Sequence, residues 1–319
     1  MSSSPKWIEG ITPECSVEDA ARRSLEPRLS AVVQYLPLAA YLASHDIEHV
    51  HRLRVATRRA TAALKLYRDC LPPKKFRWMS RWLRTIRRAA GDARDLDVFT
   101  DRLAREYGER AAPVVDLVAR DRAAVQPAIV QVADRCRKND RLVKKVASLL
   151  HAIRLPRIVG DDERQLFGPW AADQFATVAG EFVLAMPDES SDTVALHDFR
   201  IRGKALRYAI ELVASAFNRE LRKELYPLVE DLQERLGRIQ DHVAAAERCR
   251  NWADQTTDEA VQETLRELAE AESLGLVEAI SDFRAWWTAE QVENVQRLLK
   301  PTPTVTLVSE ATPETQLAD

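Results

Sequence analysis

The sequence contains two segments with the same pattern of basic side chains, 146 residues apart. The first reads HRLRVATRRATAALKLY from His51, and the second reads HDFRIRGKALRYAIELV from His197. The matching positions are His51, Arg54 and Arg58 in the first segment, and His197, Arg200 and Lys204 in the second. At about 100° per residue, each trio lies within an arc of about 60° on a helix. Each segment is therefore predicted to form a helix with a histidine and two long cations along one edge.

The repeat extends beyond these two helices. Forty residues after each histidine lies a glycine that is followed four residues later by an aspartate: Gly91 and Asp95, then Gly237 and Asp241. The histidine, the glycine and the aspartate of one copy all lie 146 residues from their counterparts, and this constant separation favours an internal duplication. We therefore predict that the chain is two copies of one helical unit, with the first half at residues 14–155 and the second at 165–300.

Composition favours helix throughout. The chain has only nine glycines in 319 residues and is rich in Ala, Leu and Arg, which lose little entropy in a helix. The fold class predicted is all-α. The expected helices span about 16–43, 46–69, 73–90, 93–107, 111–135, 139–153, 170–186, 192–217, 219–235, 239–254, 258–280 and 282–299. A break is expected at LPRIVGDDERQLFGP, and residues 1–13 and 301–319 have the composition of disordered tails.

The charges are strongly segregated although the net charge is only −2. Residues 51–91 contain 13 Lys or Arg and one acid, whereas residues 251–319 contain 14 acids and four bases. The four cysteines are isolated in the sequence, and no segment has the apolar length of a membrane span or the core of a signal peptide. These features predict a soluble cytoplasmic protein with one cationic surface and no membrane partner.

The helix expected at 73–90 continues the cationic pattern. Arg77, Arg81, Arg84 and Arg88 fall on one edge of it, and the preceding helix adds Lys65 to the edge that begins at His51. If the two edges face each other, they line a basic groove. The alternative is that these arginines are solvated residues of an ordinary amphipathic helix. Cations at this helical spacing repel one another, and almost no acidic side chains are present to offset the repulsion. An anionic ligand that reaches both copies would offset it.

The two halves differ in this second helix. Positions aligned with Arg81, Arg84 and Arg88 hold Pro227, Glu230 and Glu234. The cations that remain in the second half are His197, Arg200, Lys204, Arg207, Lys223 and Arg238. We therefore expect the first half to make more contacts with the ligand. A further basic cluster at 137–145 either extends the groove or forms a solvated face.

The histidines leave several roles open. His51 and His197 could be metal ligands, general bases, phospho-acceptors, phosphate hydrogen-bond donors or neutral structural groups. Around His197 no second metal-ligating side chain lies at helical spacing on the same face, and the cations next to both histidines repel a metal ion. Asp95, Asp97 and Asp241 are interpreted as helix-start residues, or alternatively as groups that orient the arginines. Phosphate-loop, dinucleotide and metalloprotease motifs are absent from the sequence, so no catalytic residue, metal or cofactor is expected.

The paired motifs resemble those of the CHAD domain, a histidine-bearing α-helical domain of bacteria. The resemblance rests on HRLRVATRR, HDFRIRGKALRY, GDARDLDV, the degenerate LGRIQD and the lead-in DIEHVH, and it covers about residues 14–300. It implies two pseudo-symmetric helical bundles around a central basic channel that binds inorganic polyphosphate, in some members at polyphosphate granules. The ligand contacts it implies are His51, Arg54, Arg58, His197, Arg200, Lys204 and Arg207. Two positions depart from the pattern: Thr61 stands where the family often has another arginine, and Gln240 stands where the first copy has Arg94.

The resemblance, together with the cationic edges, predicts non-catalytic polyphosphate binding. Polyphosphate has dense charge and no bases, so it needs cations but no stacking aromatic rings. One alternative is a nucleic-acid-binding protein, which the position of Trp78 and Trp82 near the apolar side of their helix disfavours. Another is a phosphotransferase or polyphosphatase that uses His51 or His197. A scaffold that brings partner proteins to granules, through the acidic C-terminal region, is compatible with polyphosphate binding.

Overall fold

The computed structural model describes residues 6–154, 165–188 and 190–302, and these residues form helices and no strands. This confirms the all-α class. The first helices are α1 (Val17–Tyr41), α2 (Glu48–Leu66), α3 (Pro73–Ala89), α4 (Gly91–Arg102), α5 (Ala112–Arg137) and α6 (Arg141–His151). The later ones are α7 (Phe167–Leu184), α8 (Thr193–Val213), α9 (Tyr226–Gln255), α10 (Glu259–Trp286) and α11 (Ala289–Leu298). No helix in these ranges combines the length and apolarity that crossing a bilayer requires.

Side-chain caps fix the beginnings of several helices. Ser16 accepts a hydrogen bond from the backbone N–H of Asp19 at 3.1 Å at the start of α1. Asp192 caps α8 and Asp258 caps α10 in the same manner, each through two backbone N–H groups. Such caps satisfy donors that the first helical turn leaves unpaired. The positions of α1, α8 and α10 in the chain are thus set by local sequence.

The expected break between helices at 219–235 and 239–254 is wrong. Gly237 lies inside α9, which is continuous from Tyr226 to Gln255 and follows a π-helical turn at Leu221–Leu225. A glycine inside a helix costs only about 1 kcal/mol relative to alanine. The burial of Leu236 and Ile239 on either side of it offsets this cost.

Among the described residues, two hydrophobic cores hold the helices together, and both draw on the two predicted halves. The larger one combines residues of α1, α2 and α3 with residues of α7, α8 and α9. The smaller one packs Phe99 of α4 and Val118 of α5 against Trp252 of α9 and Leu265 of α10. The halves are therefore joined by shared apolar surface. Their boundaries at 14–155 and 165–300, and the duplication itself, stay predictions.

A buried ion pair fixes α2 against α8. Arg59 Nε donates to Glu211 Oε2 at 2.8 Å, Arg59 Nη2 donates to Oε1 at 3.2 Å, and the Tyr226 hydroxyl also donates to Oε1 at 2.9 Å. The Glu211 side chain is 1% exposed. A carboxylate at this depth requires such partners. The two helices that carry the histidines are thereby held side by side.

The predicted N-terminal tail is ordered where the structure describes it, so the expectation of disorder is wrong for residues 6–13. Lys6 Nζ lies 3.1 Å from Glu230 Oε2, Trp7 packs on Tyr226, and Ile11 is buried. Apolar burial by Trp7 and Ile11 outweighs the polar composition of the segment. Residues 1–5, residues 155–164 of the expected break and residues 303–319 lie outside the described residues. The helix expected from 170 begins earlier, at Phe167.

Candidate functional site

A cavity of about 450 Å³ lies where α2, α4, α8 and α9 meet. The residues that line it are His51, Arg54, Val55, Arg58, Arg94, Asp95, Val98, Phe99, His197, Arg200, Gln240, Asp241, Ala244, Ala245 and Arg248. Five of these side chains are arginines, two are histidines and two are carboxylates. Both basic helix edges therefore face one shared space.

Twelve of the fifteen lining residues form pairs 146 positions apart. His51 corresponds to His197, Arg54 to Arg200, Arg94 to Gln240 and Asp95 to Asp241, and two apolar pairs follow on α4 and α9. The repeated sequence pattern thus corresponds to two walls of one cavity. A ligand in the cavity would contact equivalent residues from both halves at once.

Arg54 is held at the cavity wall by the end of α3 and the start of α4. Its Nη2 lies 3.2 Å from Asp95 Oδ1, and its Nη1 donates to the Ala90 carbonyl at 3.4 Å. A Cβ added at Gly91 would lie 3.3 Å from Nη1, so this glycine leaves room for the guanidinium. Burial lowers the pKa of Arg54. The charge of Asp95 raises this pKa, and the charge of Arg58 lowers it further.

Arg200 has the equivalent position on α8. Its Nη2 lies 3.8 Å from the position of a Cβ added at Gly237. Burial lowers the pKa of Arg200, while Asp241 opposes this effect. Its Nε is buried and has no hydrogen-bond partner among the described residues. An anion in the cavity could accept from this donor.

The two histidines have different surroundings. Burial lowers the pKa of His51, and the charge of Arg94 lowers it further. His197 Nδ1 instead bonds to Gln240 Oε1, and since an amide oxygen only accepts, this assignment places the proton on Nδ1. The departure of Gln240 from the expected arginine thus gives the second histidine a neutral partner. In its neutral form, His197 would then present Nε2 as an acceptor.

Lys204 and Arg207 continue the basic edge of α8 beyond the cavity wall. Burial lowers the pKa of Lys204 to about 7, and the charges of Arg200 and Arg58 act in the same direction. Arg207 Nη2 donates to the Tyr208 hydroxyl at 3.3 Å, while its Nε is buried without a hydrogen-bond partner in the described residues. Both side chains are half-buried. An anion would stabilise the charged form of Lys204.

The groove expected between the edges of α2 and α3 is not formed. Met79, Leu83 and Ile86 of α3 pack into the core, so its arginines point away from the core to solvent. The predicted site residues that are exposed and do not line the cavity are Lys65, Arg77, Arg81, Arg84, Arg88, Lys223 and Arg238. Arg238 Nη2 lies 4.0 Å from Asp282 Oδ2. A ligand-binding role for these seven stays a prediction.

The aspartates are not helix-start residues, and that interpretation is wrong. Asp95 and Asp97 lie inside α4, and Asp241 lies inside α9, because neither Gly91 nor Gly237 forms a turn. Asp95 pairs with Arg54, and Asp97 pairs with Arg122. The side chains therefore act as partners for arginines.

Sequence reasoning missed Arg248. Its guanidinium lies over the rings of Phe99 and Trp252, at 5.9 and 5.6 Å from their centroids, and it lines the cavity. The 146-residue offset from Arg102 was the available signal. Arg102 itself lies 2.8 Å from the buried Glu272. The same offset thus yields one cavity arginine and one structural arginine.

Glu272 anchors a buried network behind the cavity. It accepts hydrogen bonds from the Tyr107 hydroxyl at 2.8 Å and from His242 Nδ1 at 2.7 Å, in addition to Arg102. Burial alone raises the pKa of this carboxyl, but the bonds from His242 and Tyr107 lower it below its usual value. The network ties α4 and α9 to α10. It supports the two helices that hold Asp95 and Asp241.

A larger cavity of about 1320 Å³ lies between the end of α1, α4 and α5. It is lined mainly by small apolar residues, and its arginine, Arg122, is paired with Asp97. It therefore lacks the free cations that an anion requires. Across the described ranges, no group of three or more His, Cys, Asp or Glu could hold a metal ion.

Comparison with known proteins gives a family and two structural neighbours. The sequence model of the CHAD domain matches residues 23–250. The crystal structure of the CHAD domain from the plant Ricinus communis is 20% identical, with a TM-score of 0.66 over 92% of this chain and 96% of that one. PptA from Streptomyces chartreusis is 18% identical, with a TM-score of 0.60 over 86% of this chain and 99% of that one. No curated protein sequence matches.

Proposed function

The chain belongs to the CHAD domain family, and we propose that it binds inorganic polyphosphate in the cavity between α2, α4, α8 and α9 without chemically altering it. The observation that carries the proposal is the convergence of cations from two segments 146 residues apart. Five arginines and two histidines share a space with only two carboxylates. Such a cluster is unfavourable until an anion occupies it.

Three of the five arginines are free to bind. Arg58, Arg200 and Arg248 have no carboxylate within 4.0 Å in the described part of the chain, whereas Arg54 pairs with Asp95 and Arg94 lies 3.9 Å from Glu48. Guanidinium groups bind phosphate oxygens through paired, charge-assisted hydrogen bonds. A ligand with several linked phosphates would engage them together and gain from multivalency.

The lining also favours a phosphate chain over a nucleic acid. Phe99 is the one Phe, Tyr or Trp among the lining residues described above, and the Arg248 guanidinium lies over its ring. Single-stranded nucleic acids are usually bound on open aromatic faces. A polyanion without bases is therefore the better match. Retention at polyphosphate granules in the cytoplasm, together with proteins that gather there, would follow from binding to long chains.

A titration with tripolyphosphate tests the proposal. The variant Arg58→Gln/Arg200→Gln removes two unpaired cavity cations, and Arg105→Gln/Arg110→Gln removes the same charge at two exposed positions outside the cavity. Losing two charge-assisted bonds of about 1.5–3 kcal/mol each should weaken binding by more than tenfold. The exposed control should bind almost as wild type. Equal affinities of the two variants would refute the site.

Two further readouts separate the alternatives. RNA is added in competition at equal phosphate concentration, and preference for RNA would contradict the proposal. Incubation with polyphosphate and a divalent metal ion is followed by assays for released phosphate and phosphohistidine. Release or labelling that depends on His51 or His197 would show that the protein is an enzyme.

A further inference from the structure

Helices α3 and α6 form a surface of cations that the cavity does not use. It consists of Lys74, Lys75, Arg77, Arg81, Arg84, Arg87 and Arg88 of α3 with Arg141, Lys144 and Lys145 of α6, and we call it the outer basic surface. Neither helix contains an acidic residue. Within residues 6–154, 165–188 and 190–302, no carboxylate lies within 4.0 Å of any of these ten side chains. Exposed cations elsewhere, such as Arg105 and Arg137, do have such partners.

The two helices lie antiparallel, so their cations form one surface. Lys75 Nζ donates to the Ser148 carbonyl at 2.7 Å, at one end of the contact. Further along α3, Lys145 Nζ lies 5.5 Å from the centre of the Trp78 ring, and the Arg141 guanidinium lies 5.7 Å from that of Trp82. Contact with the indole rings restrains these α6 cations beside α3.

A third cavity, of about 690 Å³, extends the surface at the α5–α6 junction. Its lining residues are Arg135, Lys138, Asn139, Arg141, Lys144, Lys145 and Ser148, with no acid among them. The chain turns there through two left-handed residues, Asn139 and Asp140, with φ of 57° and 53°. These two residue types tolerate that conformation better than most. The turn brings the last cations of α5 next to the first ones of α6.

The outer basic surface begins at the edge of the central cavity. Arg54, in the cavity wall, donates to the Ala90 carbonyl directly after α3, and the charge of Arg87 lowers the pKa of Arg54. From this end, the 17 residues of α3 extend about 25 Å along the protein at 1.5 Å per residue. A chain that leaves the cavity here would meet cations along the whole of α3 and then those of α6.

We propose that the outer basic surface binds the part of a long polyphosphate chain that extends out of the cavity, which makes the protein selective for long chains. This rests on the proposed function. Tripolyphosphate fills only the cavity, whereas a long chain contacts both surfaces and gains the added affinity of a second, linked site. RNA suits the surface less well, because Trp78 and Trp82 are half-buried and each lies next to a cation.

The test compares two ligands on matched variants. The outer variant is Arg77→Gln/Arg81→Gln/Lys144→Gln/Lys145→Gln, and the control is Arg105→Gln/Arg110→Gln/Arg120→Gln/Arg266→Gln, in which all four positions are also exposed and lie outside both basic cavities. Affinities for tripolyphosphate and for long-chain polyphosphate are measured at one salt concentration. Thermal unfolding of each variant confirms that it is folded.

The outer variant should lose about tenfold or more in affinity for the long chain and keep its affinity for tripolyphosphate within about twofold. Long-chain binding equal to that of the control would overturn the proposal, as would an equal loss for both ligands. A competition with RNA gives a further outcome that would overturn it. If RNA displaces long-chain polyphosphate from the wild type but not from the outer variant, the outer basic surface binds RNA. A separate result would show that the proposed function fails: the Arg58→Gln/Arg200→Gln variant would then bind tripolyphosphate as tightly as the wild type.

Discussion

Arg54 Nη2 lies 3.2 Å from Asp95 Oδ1, and the two side chains come from different helices of the same cavity wall. The pair has a double effect. Asp95 holds the guanidinium towards the cavity, and it also cancels part of the positive charge that a polyanion would meet. Asp241 is the residue 146 positions later; it lies more than 4.0 Å from the Arg200 guanidinium, and its charge opposes the lowering of the Arg200 pKa by burial.

Replacing Asp95 with Asn tests this balance. The carboxylate is half exposed, so its effect should be modest: we expect polyphosphate to bind about two- to fivefold more tightly and the free protein to melt at a slightly lower temperature. Adding polyphosphate should restore the melting temperature. Asp92→Asn, an exposed change on the same helix, is the control for net charge. Weaker binding by Asp95→Asn would show that orientation of Arg54 outweighs charge.

Gly91→Ala tests whether Arg54 needs the space beside α4. The added Cβ would lie 3.3 Å from Arg54 Nη1, and because this is the end of a flexible side chain, it should move at little cost to folding. We expect several-fold weaker binding of tripolyphosphate with nearly unchanged stability. At Gly180, in α7, an added Cβ meets nothing within 4 Å, so Gly180→Ala should leave binding unchanged and stabilise the protein by about 0.5–1 kcal/mol. Equal binding by both variants would contradict this role for Gly91.

The lowered pKa of Lys204 predicts that the affinity for polyphosphate depends on pH. Its pKa is about 7 in the free protein, so raising the pH from about 6 to about 8 removes its charge, and polyphosphate should bind more weakly. Lys204→Arg keeps the charge and should flatten the profile measured by titration at several pH values. Histidines and terminal phosphates titrate in both proteins, so only the difference between the two profiles is informative. Parallel profiles would contradict the prediction.

The same lysine also links pH to stability. In the unfolded chain its pKa returns to about 10.5, so between about pH 7 and 10.5 the unfolded state binds more protons than the folded state. This group therefore makes the free protein more stable as the pH rises through that window. Lys204→Met should remove that contribution and raise the melting temperature most below pH 7. Urea unfolding at several pH values gives the unfolding free energy of wild type and of Lys204→Met. If this free energy changes with pH equally in both proteins, the prediction is contradicted.

Glu272→Gln should destabilise the protein strongly. The change leaves Arg102 and His242 without their buried carboxylate, and breaking such a network costs about 3–5 kcal/mol of unfolding free energy. Urea unfolding should show this, whereas the exposed Glu270→Gln on the same helix should stay within about 0.5 kcal/mol of wild type. A loss of less than about 1 kcal/mol would mean that the network contributes little.

Much of the wall geometry could be predicted because it depends on local periodicity. The 3.6-residue repeat places His51 beside Arg54 and His197 beside Arg200 in any helix, and the shared offset predicts that equivalent edges meet the same ligand. The composition likewise predicted the all-α class. These inferences needed no knowledge of which helix packs on which.

The rest depends on tertiary packing. The direction in which Arg77 and Arg81 point is set by the neighbours that bury Met79, and a helical wheel does not identify those neighbours. From the sequence alone, Gly237 is predicted to be in a turn. It lies inside α9 because the residues around it are buried, which the local sequence does not show. Glu272 lies 170 positions from Arg102 in the sequence, so no local pattern joins them.

A crystal structure of the protein with tripolyphosphate bound tests the central claim most directly. We predict phosphates between the His51–Arg54 wall and the His197–Arg200 wall, with oxygens within hydrogen-bonding distance of Arg58, Arg200 Nε and Arg248. Phosphates found only outside this cavity, with these three arginines left as they are in the free protein, would contradict it.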